Sequence, residues 1–462
     1  PPAEIVYNDE TTKQTTEGVT MAIIVQKQIF GWKDIEELGD LERLNLVLNY
    51  LPDEKLMRVL EEERGKGTDD YPVRATWNSV LAGVVFQHES VESLRRELQR
   101  NGQLREMCGF EVVGGLQAIP TAWAYSRFLK KLIGQAEGVD AIFDELVEEL
   151  KVELPDFGRI QAFDGKGIDS YASGKKKEEG EEREADQRRD DDADWGKHVY
   201  QGVREDGSSW KKVKSWFGYT LHMIVDAVYE LPIAFEVTKA SRAEAPLMHE
   251  LFEQEQERHP ELIERCEYGI GDRGYDDGKL ICKHWDEYGI KSVIDIRNLW
   301  KDGEETKQAA GQWNVVYDYK GTVFCICPKS GKQREMAFGG FEASRGTLKY
   351  RCPAQHYGYL CAGCEECPVG KALRISLSQD RRVFTPLARS SYSWQSVYKM
   401  RTAVERVNSR IDKVYGFEKH YIRGQKKMKL RVSLALCVML AMALGRSKEK
   451  KKELMRSLVK AG

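Results

Sequence analysis

The sequence predicts a mixed α/β protein with an all-helical N-terminal region, a central sheet flanked by helices, and a β-rich insertion that contains cysteines. Apolar residues recur at three- and four-residue spacing in several segments before residue 150, as in helices that lie on a core. From residue 159, strand-like runs alternate with helical ones, which favours a mixed sheet with helices on its faces. Between about 300 and 390, short strand-like runs occur without a long helical pattern.

The N-terminal region contains four predicted helices. Ser90 and Thr121 stand where N-caps are expected, immediately before two of them. The last helix presents Arg127, Lys130 and Lys131 after a capped start, as a DNA recognition helix would. Because the region is acidic overall, a purely structural helical bundle is an equally open interpretation. The four segments are "DIEELGDLERLNLVLNYL", "RATWNSVLAGVVFQ", "SVESLRRELQRN" and "TAWAYSRFLKKLIG".

The central region reads as strand, strand, strand, helix, strand, helix, strand. The first predicted strand, "RIQAFDG", ends in Asp164, and a strand over "CEYGIGD" ends in Asp272. Sheet proteins of this kind usually place their chemistry at the carboxyl ends of strands. Both aspartates also stand beside glycine, which is common turn chemistry. The highly charged stretch from 171 to 196 follows no periodic pattern and predicts a surface loop.

A later segment, "YKMRTAVERVNSRIDK" (398–413), predicts a helix, because apolar residues recur at helical spacing from Val397 to Val414. One position over, Glu405 lies on a polar stripe with Arg401, about 100° round the helix. An ordinary i,i+4 ion pair between them would contribute ~0.2–0.5 kcal/mol. The other interpretation is a metal-binding glutamate that meets acids from elsewhere in the chain.

Six cysteines are grouped in the predicted insertion. Two residues separate Cys361 from Cys364 and Cys364 from Cys367, and Cys352 or Cys327 could supply a fourth ligand. Such thiols in a small region with little apolar mass are typical of a structural zinc site. Ordinary reduced cysteines are the alternative.

The formal net charge of -3 conceals a strong asymmetry. Residues 1–150 hold 16 Lys and Arg against 27 Asp and Glu, whereas residues 398–462 hold 18 against 5. A basic end of this size indicates a surface that binds a polyanion. Within it, "YIRGQKKMKLR" (421–431) combines Tyr421 with five basic residues, among them Lys426 and Lys427, which suits contacts with backbone phosphates.

The chain of 462 residues, 41% hydrophobic and 31% charged, is long enough for two or three domains. The longest apolar run, 432–445, is shorter than the ~20 residues of a membrane span and predicts a core helix. The opening residues carry no secretion signal, so we expect reduced cysteines and a cytoplasmic protein. We divide the chain into a variable N-terminal extension (1–25), a helical DNA-binding or dimerisation domain (26–150), an α/β core in two parts (151–299 and 391–446), the insertion (300–390) and a basic tail (447–462).

Taken together, these segments resemble the DDE transposases of bacterial insertion sequences, which have a ribonuclease H-like catalytic core. The resemblance covers nearly the whole chain. It rests on "YPVRATWNSVLAGVVFQHESVESLRRELQRN", "FDGKGI", "WFGYTLHMIVDAVYELPIAFEVTKAS", "GDRGYDDGK" and "YKMRTAVERVNSRIDKVYGFEKHYIRG".

The resemblance implies that Asp164, Asp272 and Glu405 are the three catalytic acids, and that Tyr398 and Arg401 match the residues that precede the family's glutamate. The family's signature lysine is expected seven residues after the glutamate, where this chain has Asp412, and Lys413 follows. Three carboxylates can hold two Mg²⁺ ions, for which Mn²⁺ may substitute, with the arginines turned toward DNA phosphates.

The function that this resemblance implies is transposition: the protein would bind terminal inverted repeats, cleave DNA and join the freed end to a target. By analogy, a homodimer on two DNA ends is expected, without a membrane partner. A catalytically silent DNA-binding derivative and a nuclease of the same fold without strand transfer are the alternatives.

Overall fold

The structure, a computed structural model, describes residues 39–65, 71–172, 174, 190–204 and 208–456. The predicted N-terminal extension, most of the predicted surface loop and the last six residues of the basic tail lie outside the described residues.

The described residues from 39 to 153 form helices and connecting turns. The predicted caps are confirmed, since the Ser90 hydroxyl accepts a hydrogen bond from the Ser93 N–H and the Thr121 hydroxyl accepts one from the Ala124 N–H. The four predicted helices correspond to α1, α3, α4 and α6, and three further helices lie between and after them. The bounds are α1 Leu41–Tyr50, α2 Glu54–Arg64, α3 Val73–Val85, α4 Val91–Arg100, α5 Gly102–Cys108, α6 Ala122–Gly134 and α7 Ala136–Glu153.

A six-stranded mixed sheet follows. Its strand order is β2-β3-β1-β5-β6, and β4 also pairs with β3. β1, β5 and β6 are parallel to one another, whereas the β1–β3, β2–β3 and β3–β4 pairs are antiparallel. The bounds are β1 Ile160–Asp169, β2 Asp194–Val203, β3 Ser209–Asp226, β4 Leu231–Lys239, α8 Glu244–Arg258, α9 Pro260–Arg265, β5 Tyr268–Gly271, α10 Gly278–Asp286 and β6 Lys291–Ile294.

Two strand predictions are wrong in detail. β1 does not end at Asp164-Gly165 but continues to Asp169, because β3 keeps pairing with it as far as Asp169↔Gly218. β3 begins at Ser209 rather than near 215, and β2 was not predicted at all. Residues 209–215 of β3 include three lysines and are all exposed, and the described side chains of β2 are mostly polar or exposed, so neither stretch has the continuous apolar face that marks a strand in a sequence.

The insertion has two small antiparallel sheets, ordered β10-β9-β8-β7 and β11-β12-β13. It has a hydrophobic core of its own, which includes Val315, Leu348, Tyr350 and Ile375. The bounds are β7 Lys307–Ala309, β8 Gln312–Tyr317, β9 Val323–Ile326, β10 Gln333–Glu335, β11 Ala337–Glu342, β12 Thr347–Arg351, α11 Pro353–Tyr357 and β13 Ala372–Ser376.

Three helices follow the insertion: α12 Tyr392–Tyr398, α13 Thr402–Val414 and α14 Gln425–Lys448. The predicted apolar stripe is confirmed, since Val404, Val407 and Ile411 are buried. The helix is not continuous, because a 3₁₀ turn at Lys399–Arg401 separates α12 from α13.

The long helix α14 packs against α7, α1 and α3 and against β4. Among the described residues it is the one helix long and apolar enough to cross a membrane, but 89% of its apolar window, of mean hydropathy 1.7, is buried within the protein. The predicted core helix is therefore confirmed. Through α14, the N-terminal helices and the sheet share one continuous core, which holds α13 against β1 and β3.

Candidate active site

The two predicted aspartates lie side by side in the sheet. Ala162 pairs with Ile270 in the parallel β1–β5 ladder, so Asp164 and Asp272 each stand two residues further along neighbouring strands. β5 ends at Gly271 while β1 continues, which leaves both carboxylates at the edge where the ladder opens. The Asp164 carboxylate accepts a hydrogen bond of 2.9 Å from the Gly165 N–H, and the Asp272 carboxylate accepts one of 2.6 Å from the Gly274 N–H.

Glu405 is brought to these aspartates by α13, which packs on β1 and β3. Its Oε1 accepts a hydrogen bond of 2.7 Å from Arg401 Nη2, so the ordinary i,i+4 ion pair is present in the structure. The Asp164 carboxylate also feels the charges of both Arg401 and Glu405. The Arg401–Glu405 ion pair therefore lies at the same place as Asp164 and Asp272, and we call this place the acid site. The two interpretations of Glu405 are compatible.

A fourth carboxylate, Glu244, lies in the same place and was missed from the sequence. It is the first residue of α8. A Cβ on Gly165 would lie 2.7 Å from Glu244 Oε1, and a Cβ on Gly274 would lie 3.3 Å from Glu244 Oε2. Gly165 and Gly274, which follow Asp164 and Asp272, therefore make room for this carboxylate. The available signal was weak, because acids in the first turn of a helix are common for dipole reasons.

The acid site is electrostatically strained. Burial, together with the Asp272 carboxylate, raises the pKa of Asp164 to about 7. Burial, with the carboxylates of Asp164 and Asp272, raises the pKa of Glu244 to about 7. The hydroxyl of the fully buried Tyr275 stands near the same carboxylates and has no hydrogen-bond partner among the described residues. The raised pKa values and the hydroxyl without a partner indicate a site suited to bind a cation or a polar ligand.

Among the described residues, no group of three or more His, Cys, Asp or Glu side chains is arranged so that it could hold a metal ion as it stands. In donor chemistry the acid site does fit a hard divalent cation, which prefers carboxylate oxygens. Binding of an ion through Glu405 Oε1 would require release of its hydrogen bond with Arg401. Asp164 and Asp272 need no such release, because each accepts only a backbone N–H in the hydrogen bonds described above.

Beyond Glu405, α13 includes the position at which the resemblance predicts a lysine. Asp412 stands where a lysine is expected, and its Oδ2 is 2.5 Å from Lys166 Nζ, on the strand that carries Asp164. A lysine thus stands beside this position from a different element. Lys413 is exposed, and the ring of Tyr398 stacks on Trp394 with centroids 4.6 Å apart.

The other predicted DNA contacts are dispersed. Arg127, Lys130 and Lys131 are exposed on α6, although Lys131 Nζ lies 3.3 Å from the Glu63 carbonyl oxygen. Lys426 and Lys427 are exposed at the start of α14. Two further basic residues of that segment face inward and serve the fold: Lys429 pairs with Glu236 at 3.0 Å, and Arg431 donates to the Tyr415 carbonyl.

The insertion's cysteines line one cavity of about 140 Å³. Cys327 Sγ and Cys361 Sγ are 3.7 Å apart. A hydrogen bond from the Ser330 hydroxyl lowers the pKa of Cys327 to about 6, whereas burial raises the pKa of Cys325 to about 11. The cavity is lined by Cys325, Cys327, Cys352, Cys361, Cys364 and Cys367.

Comparison with known proteins agrees with the geometry. A search of curated proteins finds no match. The family model described as "Transposase DDE domain" matches residues 157–441, which is more than half of the chain and includes Asp164, Glu244, Asp272 and Glu405. With this match over the sheet, the insertion and the helices that carry the acids, the chain belongs to the family of transposases with a DDE domain.

Proposed function

We propose that this protein is the transposase of a bacterial insertion sequence, with a ribonuclease H-like core that cleaves the ends of its element and joins them to target DNA. The observation that carries the proposal is the convergence of Asp164, Asp272 and Glu405 from three separate elements within the matched region. A structural role gives no reason to place carboxylates that repel one another side by side, as Asp164 and Asp272 are.

Asp164, Asp272 and Glu405 would hold two Mg²⁺ ions, with Glu244 alongside. Bound there, divalent ions supply nucleophile activation and charge stabilisation at phosphorus. The protein's own side chains would position the ions and the DNA. Asp164 and Asp272 are fixed by backbone hydrogen bonds, while Arg401 is placed to bind a phosphate oxygen once Glu405 leaves it.

The DNA partner follows from the family, and a homodimer that pairs two element ends is our proposal for the assembly. A location at the nucleoid in the cytoplasm accords with this role. A nuclease without strand transfer and a silent DNA-binding derivative remain the competing functions. The presence of all three acids argues against the silent derivative.

A strand-transfer assay decides between these functions. Labelled duplexes that carry the ends of the element are incubated with supercoiled target DNA and Mg²⁺. We expect both cleaved ends and joined products. Cleavage without joining would support the nuclease, whereas binding without either product would support the silent derivative.

We propose that α6 contacts the terminal repeat. Trp123 is exposed beside Arg127, whose guanidinium lies 5.8 Å from the centre of its ring, and Lys130 is exposed one turn further on. Arg127→Ala combined with Lys130→Ala should weaken binding of the end duplex by roughly tenfold and lower its salt dependence by ~1 per lost phosphate contact. Footprinting should show the lost protection. Lys55→Ala combined with Arg58→Ala, which removes two exposed charges from α2, is the control. An unchanged footprint for the α6 variant would indicate that α6 has a structural role.

We also propose that the cysteine cavity binds a structural zinc ion. Tetrahedral Zn–S bonds of ≈ 2.3 Å place neighbouring sulfurs about 3.8 Å apart. The 3.7 Å between Cys327 and Cys361 fits such an edge, and four further cysteines line the same cavity.

Metal analysis of the purified protein should give stoichiometric zinc. Cys361→Ser should remove it and lower the melting temperature by more than about 5 °C, because the insertion has only a small core of its own. Cys282→Ser, on α10 and outside the cavity, is the matched control. Zinc-free protein whose stability does not respond to Cys361→Ser would contradict the proposal.

A further inference from the structure

The first half of β3 and its partner β2 form a two-stranded ribbon that leaves the sheet. Residues 209–217 of β3 pair with β2 and not with β1 or β4, whose pairing with β3 starts at Gly218 and Tyr219. At ~3.3 Å per residue the ribbon extends roughly 25 Å beyond the sheet. A two-stranded ribbon alone is marginally stable in water, so one with exposed tryptophans and valines is suited to a partner.

The ribbon is basic. From Asp194 to Phe217 the sequence has five Lys and Arg against three acids, Asp194, Glu205 and Asp206. The four lysines are exposed, and the structure shows no ion pair between them and any carboxylate in the part of the chain that it describes. Exposed aromatic residues stand among them, at Trp195 and Trp210. Positive charge interleaved with aromatic rings matches the chemistry of nucleic acid. The five basic residues are Lys197, Arg204, Lys211, Lys212 and Lys214.

One face of the ribbon is continuous with the acid site. The rings of His198 and Trp216 are stacked, with centroids 4.9 Å apart, and His198 Nε2 lies 3.8 Å from Glu244 Oε1. Side chains alternate along a strand, and directly paired residues share a face. Lys214, paired with His198, and Lys212, two residues further out, therefore lie on the face of Trp216. Lys197 and Lys211 lie on the opposite face.

We propose that the β2–β3 ribbon is an arm that binds duplex DNA through Lys212 and Lys214 and directs it into the acid site. The inference rests on the proposed function and names a DNA-binding surface for it. The width of a two-stranded ribbon matches the major groove of B-form DNA, where it would lie next to the scissile strand. The two lysines would contact backbone phosphates and so contribute affinity without sequence preference.

Two double variants of the full-length protein test the arm. Lys212→Ala with Lys214→Ala removes two charges from the face that leads to Glu244, and Lys197→Ala with Lys211→Ala removes two from the opposite face. Binding of a fluorescent 40-base-pair duplex of arbitrary sequence is measured in EDTA from 50 to 200 mM salt. The first variant should weaken binding by roughly tenfold and lower the salt slope by ~2, while the second stays within about twofold of wild type.

Equal losses in both variants, or no loss in either, would overturn the proposal. A change of molar mass in light scattering without a change in DNA affinity would instead make the ribbon a contact between two copies of the chain. Wild-type protein that binds no duplex would refute the proposed function itself. If the wild type binds and the first variant binds equally well, the arm alone is refuted.

Discussion

Glu405→Gln should abolish cleavage and joining, by a factor of about 10³ or more, while the affinity for end DNA stays unchanged. The substitution keeps the volume of the side chain and its place on α13, but it removes a negative charge from the acid site. Divalent cations depend on that charge, and their loss removes both nucleophile activation and leaving-group stabilisation. The neutral amide also frees Arg401 from its ion pair, so DNA binding should not fall. Single-turnover cleavage and filter binding on the same duplex measure the two quantities.

Glu418→Gln is the matched control for this variant. Glu418 is exposed, thirteen residues further on, and lies outside both α13 and α14. We expect its cleavage rate to stay within about twofold of wild type. Near-normal cleavage by Glu405→Gln would indicate that Glu405 serves only as the ion-pair partner of Arg401. Asp412, on the same helical face, would then be the first alternative, although Lys166 already pairs with it.

Glu244→Gln should slow cleavage by about 10- to 100-fold, which is the range seen when a group that supports a metal site is removed. The variant tests whether the carboxylate matters as a charge, because the amide still fits between Gly165 and Gly274. The lost rate should recover in part at higher Mg²⁺ concentration, since a weakened cation site is refilled by mass action. Cleavage measured over a range of Mg²⁺ concentrations gives both values.

Glu250→Gln, on the same helix and paired with Arg242 on the surface, is the control. It should leave the rate and the Mg²⁺ dependence unchanged. A second variant probes position rather than charge: Gly165→Ala would place a Cβ 2.7 Å from Glu244 Oε1 and push the carboxylate aside. If Glu244→Gln cleaves like wild type at every Mg²⁺ concentration, Glu244 serves the start of α8 only.

The sequence by itself determined the elements whose apolar pattern meets the core. Helical spacing gave α3, α4 and α6 with two of their caps, and it gave the buried stripe of α13. The sequence also singled out Asp164 and Asp272, because each ends a predicted strand beside a glycine, and Glu405, because it lies on a predicted helix after the insertion. Features of this kind are local, and the spacing of residues in a sequence is enough to predict them.

What the tertiary structure decided depends on distances between remote residues. Glu244 looks like an ordinary first-turn acid until β4 and α8 bring it to the glycines that follow the aspartates. Lys166 and Asp412 are 246 positions apart, and only the packing of α13 on β1 pairs them. The outer part of the β2–β3 ribbon was missed because residues 209–215 are exposed on both faces, so no apolar alternation marks it. Its hydrogen bonds to a partner strand, which sequence spacing does not encode, make it a strand.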